Sequence, residues 1–149
     1  MKQITNLIFV LIIFLSVNQL PAQTLKYSDI GINKPEGKFK EYITNDGMTF
    51  RVGDTIVLGK GTGENGTFIH LLNEGSILPA SFSGYRFVIE SIFPYGNKSI
   101  GWKAKIMTNK LTRLGAPIYF FPEDIVCTGE LVGYGMSTDE ALKELRRCK

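Results

Sequence analysis

The chain has few of the residues that build metal cages and catalytic pairs. Among its 149 residues there are only two cysteines, one histidine and one tryptophan. A zinc site of four cysteine or histidine ligands is therefore excluded within one copy. Lysine and arginine number 17 against 14 acidic residues, and the net charge of +3 is too small to indicate nucleic acid as a partner. The length and an apolar content of 44% are typical of one globular domain.

Acidic residues are missing from the start of the chain, which has the pattern of an export signal. No acid precedes Asp29, Lys2 supplies a positive charge, and the eleven residues 7–17 are almost entirely apolar. Eleven residues span roughly 16 Å as a helix, about half of a bilayer's hydrocarbon core. The sequence therefore predicts a signal peptide over 1–22, cleavage after Ala22 and no stable membrane span after cleavage. The expected location is periplasmic or extracellular.

The two cysteines leave two alternatives open. A disulfide between Cys127 and Cys148 would close a loop of about twenty residues and add roughly 3 kcal/mol of stability in an oxidising compartment. The other alternative is a buried thiol at Cys127 and an exposed one at Cys148. Pairing depends on the distance between the two Cα atoms, which the sequence does not give.

Beyond the signal, turn residues and apolar alternation divide the chain into three parts. We expect a loosely ordered lead over 23–38, a β-rich domain over 39–135 and a C-terminal helix over 136–149. The helix is indicated by capping-box spacing at Ser137 and Glu140, followed by an apolar stripe. The predicted fold class is mainly β, a small barrel or rolled antiparallel sheet with a C-terminal α-helix.

The first hairpin is predicted over 41–52, where Asp46 and Gly47 supply the positive φ angles of a tight turn. Two registers remain open: either Ile43 or Tyr42 lies opposite Phe50. Three more strands are expected, and Pro122 should end the last of them and begin a helical turn. These strands cover 55–58, 67–72 and 118–121.

The second hairpin is predicted to join 85–93 to 99–107. The favoured register directs alternate apolar side chains inward and places Lys103 opposite Glu90 as an exposed ion pair. A catalytic Glu90 with a raised pKa is the less favoured alternative. The aromatic and charged side chains of this hairpin are then expected to have a structural role.

A glycine-rich stretch at Gly61, Gly63 and Gly66 matches the spacing G-x-G-x-x-G. A dinucleotide site needs a helix directly after this motif, because the helix N-terminus holds the pyrophosphate. The residues that follow, 67–72, have the pattern of a strand. The stretch is therefore predicted to be a flexible hairpin loop, and no cofactor is indicated.

Three residues are candidate ligand contacts: Tyr85, Trp102 and His70. The aromatic residues of the second hairpin form either core or an exposed platform for sugars or an envelope polymer. His70 is the only histidine, and without a nucleophile motif a half-buried structural role is favoured over a general base. No catalytic or metal-binding residue is predicted.

The chain resembles small exported proteins of Gram-negative bacteria that have no assigned activity. The resemblance rests on YITNDGMTFRVGDTIVLGKG at 42–61, YFFPEDIVCTGEL at 119–131 and the signal ending LPAQT. Its motifs are turns and strands, so it implies no catalytic residue. The tail STDEALKELRRCK is similar to the first helix of the short C-terminal helical oligomerisation domain, and it covers only that helix.

The favoured hypothesis is a non-enzymatic exported domain that binds an envelope component or another protein. This hypothesis is favoured because each polar residue considered has a structural explanation, and no group of catalytic residues remains. One alternative is a small exported hydrolase that uses His70 with Cys127 or a carboxylate. Another is a C-terminal helix that docks a partner through Ala141, Leu142 and Leu145.

Overall fold

A computed structural model describes residues 23–31, 34–110 and 115–134. The predicted signal peptide, the C-terminal helix and Cys148 lie outside these ranges, so those predictions stay predictions. Within the described ranges the fold is mainly β, as predicted. Ten strands form one sheet, which does not close into a barrel.

The strands are short except for one central pair. Their order in the sheet is β1-β2-β7-β8-β9-β5-β6. Outside this order, β3 pairs with β2, and β4 pairs with both β7 and β10. A single turn of helix, α1, follows β9. The bounds are β1 Gln23–Lys26, β2 Phe39–Ile43, β3 Thr49–Arg51, β4 Thr55–Leu58, β5 Phe68–Asn73, β6 Ser76–Leu78, β7 Arg86–Asn97, β8 Gly101–Lys110, β9 Pro117–Phe120, α1 Pro122–Ile125 and β10 Leu131–Tyr134.

Strand β7 organises the sheet because both of its edges are paired. One edge runs along β8, and the other meets β4 at Val88 and β2 at Ile92. The core contains edge-to-face rings, with the centroids of Phe50 and Phe120 5.8 Å apart. Its largest fully buried side chains are Tyr42, Phe50, Phe68, Phe87, Phe120, Leu25, Ile56, Leu58, Leu71, Leu78, Ile89 and Ile106.

The lead over 23–38 is more ordered than the sequence predicts. Residues Gln23–Lys26 form β1, which pairs in parallel with β2, and Leu25 is buried. The predicted lead therefore begins with a short strand on the edge of the sheet. One buried apolar side chain in a four-residue strand gives too short a pattern to detect, and the partner strand supplies the hydrogen bonds.

The first hairpin adopts one of the two registers left open. Tyr42 lies opposite Phe50, and three residues form the loop between Thr44 and Met48. The Thr44 amide donates to the Met48 carbonyl at 2.9 Å, and the Met48 amide donates to the Thr44 hydroxyl at 2.9 Å. Gly47 has a φ of +87°, as predicted, whereas the positive φ predicted for Asp46 is wrong.

The predicted register of the second hairpin is wrong. Strand β7 continues to Asn97, so that Lys103 lies opposite Tyr95, not Glu90. A bulge between Ile89 and Ser91 then shifts the alternation by one residue. Glu90 is exposed at this bulge.

Two local features explain the longer hairpin. The Asn97 side chain accepts hydrogen bonds from the amides of Ser99 and Ile100, which closes a tight loop beyond the predicted turn. Gly101 begins β8 with a φ of +78°. Ile100, predicted to point inward, is 75% exposed at the tip of this loop.

The glycine-rich loop between β4 and β5 is held by a buried carboxylate. Glu130 has no exposed surface and accepts hydrogen bonds from the Thr62 amide and hydroxyl and from the amides of Ile69 and His70. A Cβ on Gly61 would lie 2.1 Å from the Gly66 carbonyl oxygen. The loop is therefore packed tightly around Glu130, and a strand follows it, as predicted. The prediction of a hairpin loop is wrong, because β4 pairs with β7 and β10 while β5 pairs with β6 and β9.

Candidate functional site

An open cleft of about 350 Å³ lies where the start of β8 meets α1 and the turn after β1. Its apolar wall contains Trp102 and Ile30, and Ile100 lies at its edge. Its polar wall contains the carboxylates of Glu123 and Asp124. An apolar cleft with a few convergent polar groups is the usual form of a small-molecule site.

Trp102 lies in the cleft because β8 pairs it with Gly96 near the end of the long hairpin. The side chain is half-buried. Its indole nitrogen is buried, and no described residue accepts a hydrogen bond from it. The ammonium of Lys34 lies 5.6 Å from the ring centroid. Since a buried donor without a partner costs about 1–3 kcal/mol, a ligand acceptor at this nitrogen would be stabilising.

The two carboxylates are brought to the cleft by the first turn of α1, which begins at Pro122. Asp124 forms an ion pair with the Lys103 ammonium, with 3.1 Å between nitrogen and oxygen. Glu123 accepts a short hydrogen bond from the hydroxyl of Tyr42. Both carboxylates are exposed, so each keeps acceptor capacity that faces solvent and the cleft.

Tyr42 connects the cleft to the core. Burial raises the pKa of its hydroxyl far above the ordinary range, and the hydrogen bond to Glu123 adds to this shift. The folded chain therefore keeps this hydroxyl protonated in the pH range in which an exposed tyrosine ionises.

A Tyr42→Phe variant tests this connection. We expect it to lose about 1–2 kcal/mol of unfolding free energy at pH 7, because one hydrogen bond to a charged acceptor is removed. The raised pKa also makes stability pH-dependent: the unfolded chain releases this proton above about pH 10, and the folded chain does not. Stability should thus be complete below pH 10 and fall as the pH rises further.

Urea unfolding between pH 7 and pH 11 measures both effects. The wild-type free energy should decline more steeply above pH 10 than that of Tyr42→Phe. Equal slopes would contradict the proposed protonation of Tyr42.

The structure does not bring the three predicted ligand contacts together. Tyr85 precedes β7, eleven residues from the Gly96 partner of Trp102, which is up to roughly 36 Å along a strand. Its ring packs on Phe82 at 5.0 Å between centroids. His70 lies on β5, where its amide donates to Glu130. Only Trp102 lines the cleft.

No catalytic pairing of His70 is found among the described residues. Its imidazole forms no hydrogen bond or ion pair there, and the Glu130 carboxylate is occupied by amides and a hydroxyl. The described residues, which include Cys127, contain no free thiol. Pairing of Cys127 with Cys148 stays a prediction, because Cys148 lies outside the described residues.

The described part of the chain contains neither a cluster of metal ligands nor a membrane-spanning helix. No group of three or more histidine, cysteine or acidic side chains is placed to hold a metal ion. No helix in those ranges has the length and apolar character needed to cross a bilayer.

Sequence reasoning missed Tyr42, Glu123 and Asp124 as cleft residues. Both acids lie in the first turn of α1, where acids are common for electrostatic reasons, and Tyr42, the partner of Glu123, is 81 positions away. The only signal in the sequence was a pair of adjacent acids beside a strand that ends in aromatic residues.

Comparison with known proteins leaves the cleft as the main evidence on function. No protein-family model, no curated protein and no solved structure matches this chain.

Proposed function

We propose that the chain is an exported, non-enzymatic, rolled β-domain that binds a neutral sugar unit of a cell-envelope component in the Trp102 cleft. One observation carries this proposal: the half-buried indole of Trp102 lines an open cleft with its N–H group unpartnered among the described residues. The ring offers an apolar face to the C–H groups of a sugar, and its buried nitrogen offers a donor once the indole shifts toward the ligand.

The polar wall suits the hydroxyl groups of the same ligand. Carboxylates accept hydrogen bonds from hydroxyl donors, and Glu123 and Asp124 both line the cleft with exposed oxygen atoms. Glu123 already accepts a hydrogen bond from Tyr42 and the charge of Asp124 is paired with Lys103, so a neutral ligand does not leave them isolated. No contact among the described residues favours the hydrolase alternative.

The single tryptophan makes the proposal directly testable by fluorescence. We expect a neutral acetamido sugar such as chitotetraose to shift and quench the emission in a saturable way, because its carbonyl can accept the indole N–H. Maltotetraose tests whether any neutral sugar is sufficient. No saturable change with either sugar up to millimolar concentration would contradict the proposal.

Calorimetry on variants locates the binding. Trp102→Ala should weaken binding at least about thirtyfold, as expected for a buried aromatic anchor. Trp102→Phe, which keeps a ring but removes the donor, should weaken it about fivefold. Glu123→Gln changes a carboxylate that lines the cleft. Its matched control is Glu64→Gln, since Glu64 lies on an exposed turn outside the cleft. Equal affinities of the two glutamine variants would place the ligand elsewhere.

A further inference from the structure

The outer face of β7, β8 and β9 carries a second cluster, which shares Lys103 with the cleft. Alternation places Phe93, Tyr95, Lys103, Lys105 and Tyr119 on the side of the sheet opposite to the core, and Phe121 follows β9. We call these six residues the aromatic–lysine face. The core residues of β8, Ala104 and Ile106, point to the other side.

Lys105 lies at the centre of this face, among three rings. Its ammonium is 3.6 Å from the centroid of Tyr119, 4.8 Å from that of Tyr95 and 5.9 Å from that of Phe93. The rings supply cation–π attraction. Lys105 forms no ion pair with any described carboxylate. Burial lowers its pKa, so an added anion beside it would favour the charged form.

The rings form a continuous surface around this cation. The centroid of Phe121 lies 5.7 Å from that of Tyr95 and 6.4 Å from that of Tyr119. Tyr95 is 51% exposed although it is large and partly apolar. The ammonium of Lys103 lies 5.7 Å from the Phe121 centroid, but its charge is paired with the Asp124 carboxylate, so Lys105 is the cation of this face that has no described carboxylate partner. One exposed ring and three half-buried rings around a cation are more than the core requires.

We propose that the aromatic–lysine face binds an acidic polysaccharide, with sugar rings stacked on Tyr95 and Phe121 and a uronate carboxylate paired with Lys105. Charge complementarity supports an anionic ligand, since Lys105 lacks a carboxylate partner among the described residues. A half-buried ammonium between aromatic rings suits a carboxylate carried on a pyranose ring, since the C–H groups of the sugar can pack on the rings beside it. A membrane surface, in contrast, is attracted to several fully exposed lysines. This proposal does not depend on the Trp102 cleft.

Calorimetry with tetragalacturonate on the full exported chain tests the proposal. We expect saturable binding that weakens as salt is raised, because the ion pair is partly screened. Lys105→Gln should weaken binding about tenfold, since a charge-assisted contact is lost. Lys98→Gln removes the same charge from the exposed hairpin loop and should leave the affinity unchanged. Tyr95→Ser, at the most exposed ring, should also weaken binding.

Thermal unfolding of each variant shows whether it is folded before binding is measured. Trp102→Phe should bind tetragalacturonate normally, which separates failure here from failure of the cleft proposal. Any of three results would overturn the proposal: no saturable binding of tetragalacturonate by wild type, equal losses in Lys105→Gln and Lys98→Gln, or binding to phosphatidylglycerol vesicles without binding to the oligosaccharide.

Discussion

Replacing Glu130 with alanine is expected to lower the free energy of unfolding by about 3–5 kcal/mol. The carboxylate has no exposed surface and accepts four hydrogen bonds, from both donors of Thr62 and from the amides of Ile69 and His70. Truncation would leave these donors without their acceptor inside the protein. Because the donors belong to the glycine-rich loop and to β5, the backbone amides of both segments should exchange hydrogen faster in the variant.

Urea unfolding measures the loss, and hydrogen exchange locates it. Glu64→Ala removes an exposed acid from the same loop and should change stability by less than about 0.5 kcal/mol. Glu130→Gln keeps the shape but turns one acceptor into a donor, so it should fall between the two. A Glu130→Ala variant as stable as Glu64→Ala would show that Glu130 does not hold the loop.

A Gly96→Ala variant is expected to lose about 2–4 kcal/mol, because two costs add. The glycine has a φ of +141°, a conformation that alanine rarely adopts. A Cβ there would lie 2.1 Å from the Gly101 carbonyl oxygen and 3.0 Å from the Trp102 Cα. The backbone of the hairpin must then move, and Trp102 moves with it. Sugar binding in the cleft should weaken together with stability.

Gly75→Ala is the matched control for this substitution. Gly75 has a φ of +85°, but its added Cβ would meet no atom within 4 Å. This variant should lose only the conformational cost, about 1–2 kcal/mol, and should bind sugar normally. If Gly96→Ala were as stable as Gly75→Ala, the observed register of the second hairpin would be wrong.

Local signals predicted most of the short elements. Asp46 and Gly47 marked the first turn, and Pro122 marked the start of α1. Each of these depends on a residue whose backbone preference acts at its own position. Strand β1 was missed because its hydrogen bonds come from β2, which no pattern within β1 reveals.

The second hairpin shows where local signals fail. Pro94 and Gly96 favour a turn, yet both lie in β7, paired with Ala104 and Trp102. The predicted ion pair between Lys103 and Glu90 assumed unbroken alternation, which the bulge beside Ser91 interrupts. A bulge inserts one residue without leaving a clear mark in the sequence.

The candidate site was predictable only in part. Trp102 was a candidate contact from its residue type alone. The cleft around it depends on α1, whose acids reach Trp102 and Tyr42 only through the packing of distant strands. The role of Glu130 was hidden for the same reason, since Thr62 lies 68 positions away.

The most direct test of the cleft proposal is the indole N–H signal in a nitrogen-15 NMR spectrum. The chain has one tryptophan and therefore one such signal. Saturating chitotetraose should move it downfield in wild type, because the free donor of Trp102 gains an acceptor, and should leave the amides near Tyr85 unchanged. An indole signal that stays in place while amides elsewhere shift would contradict binding at Trp102.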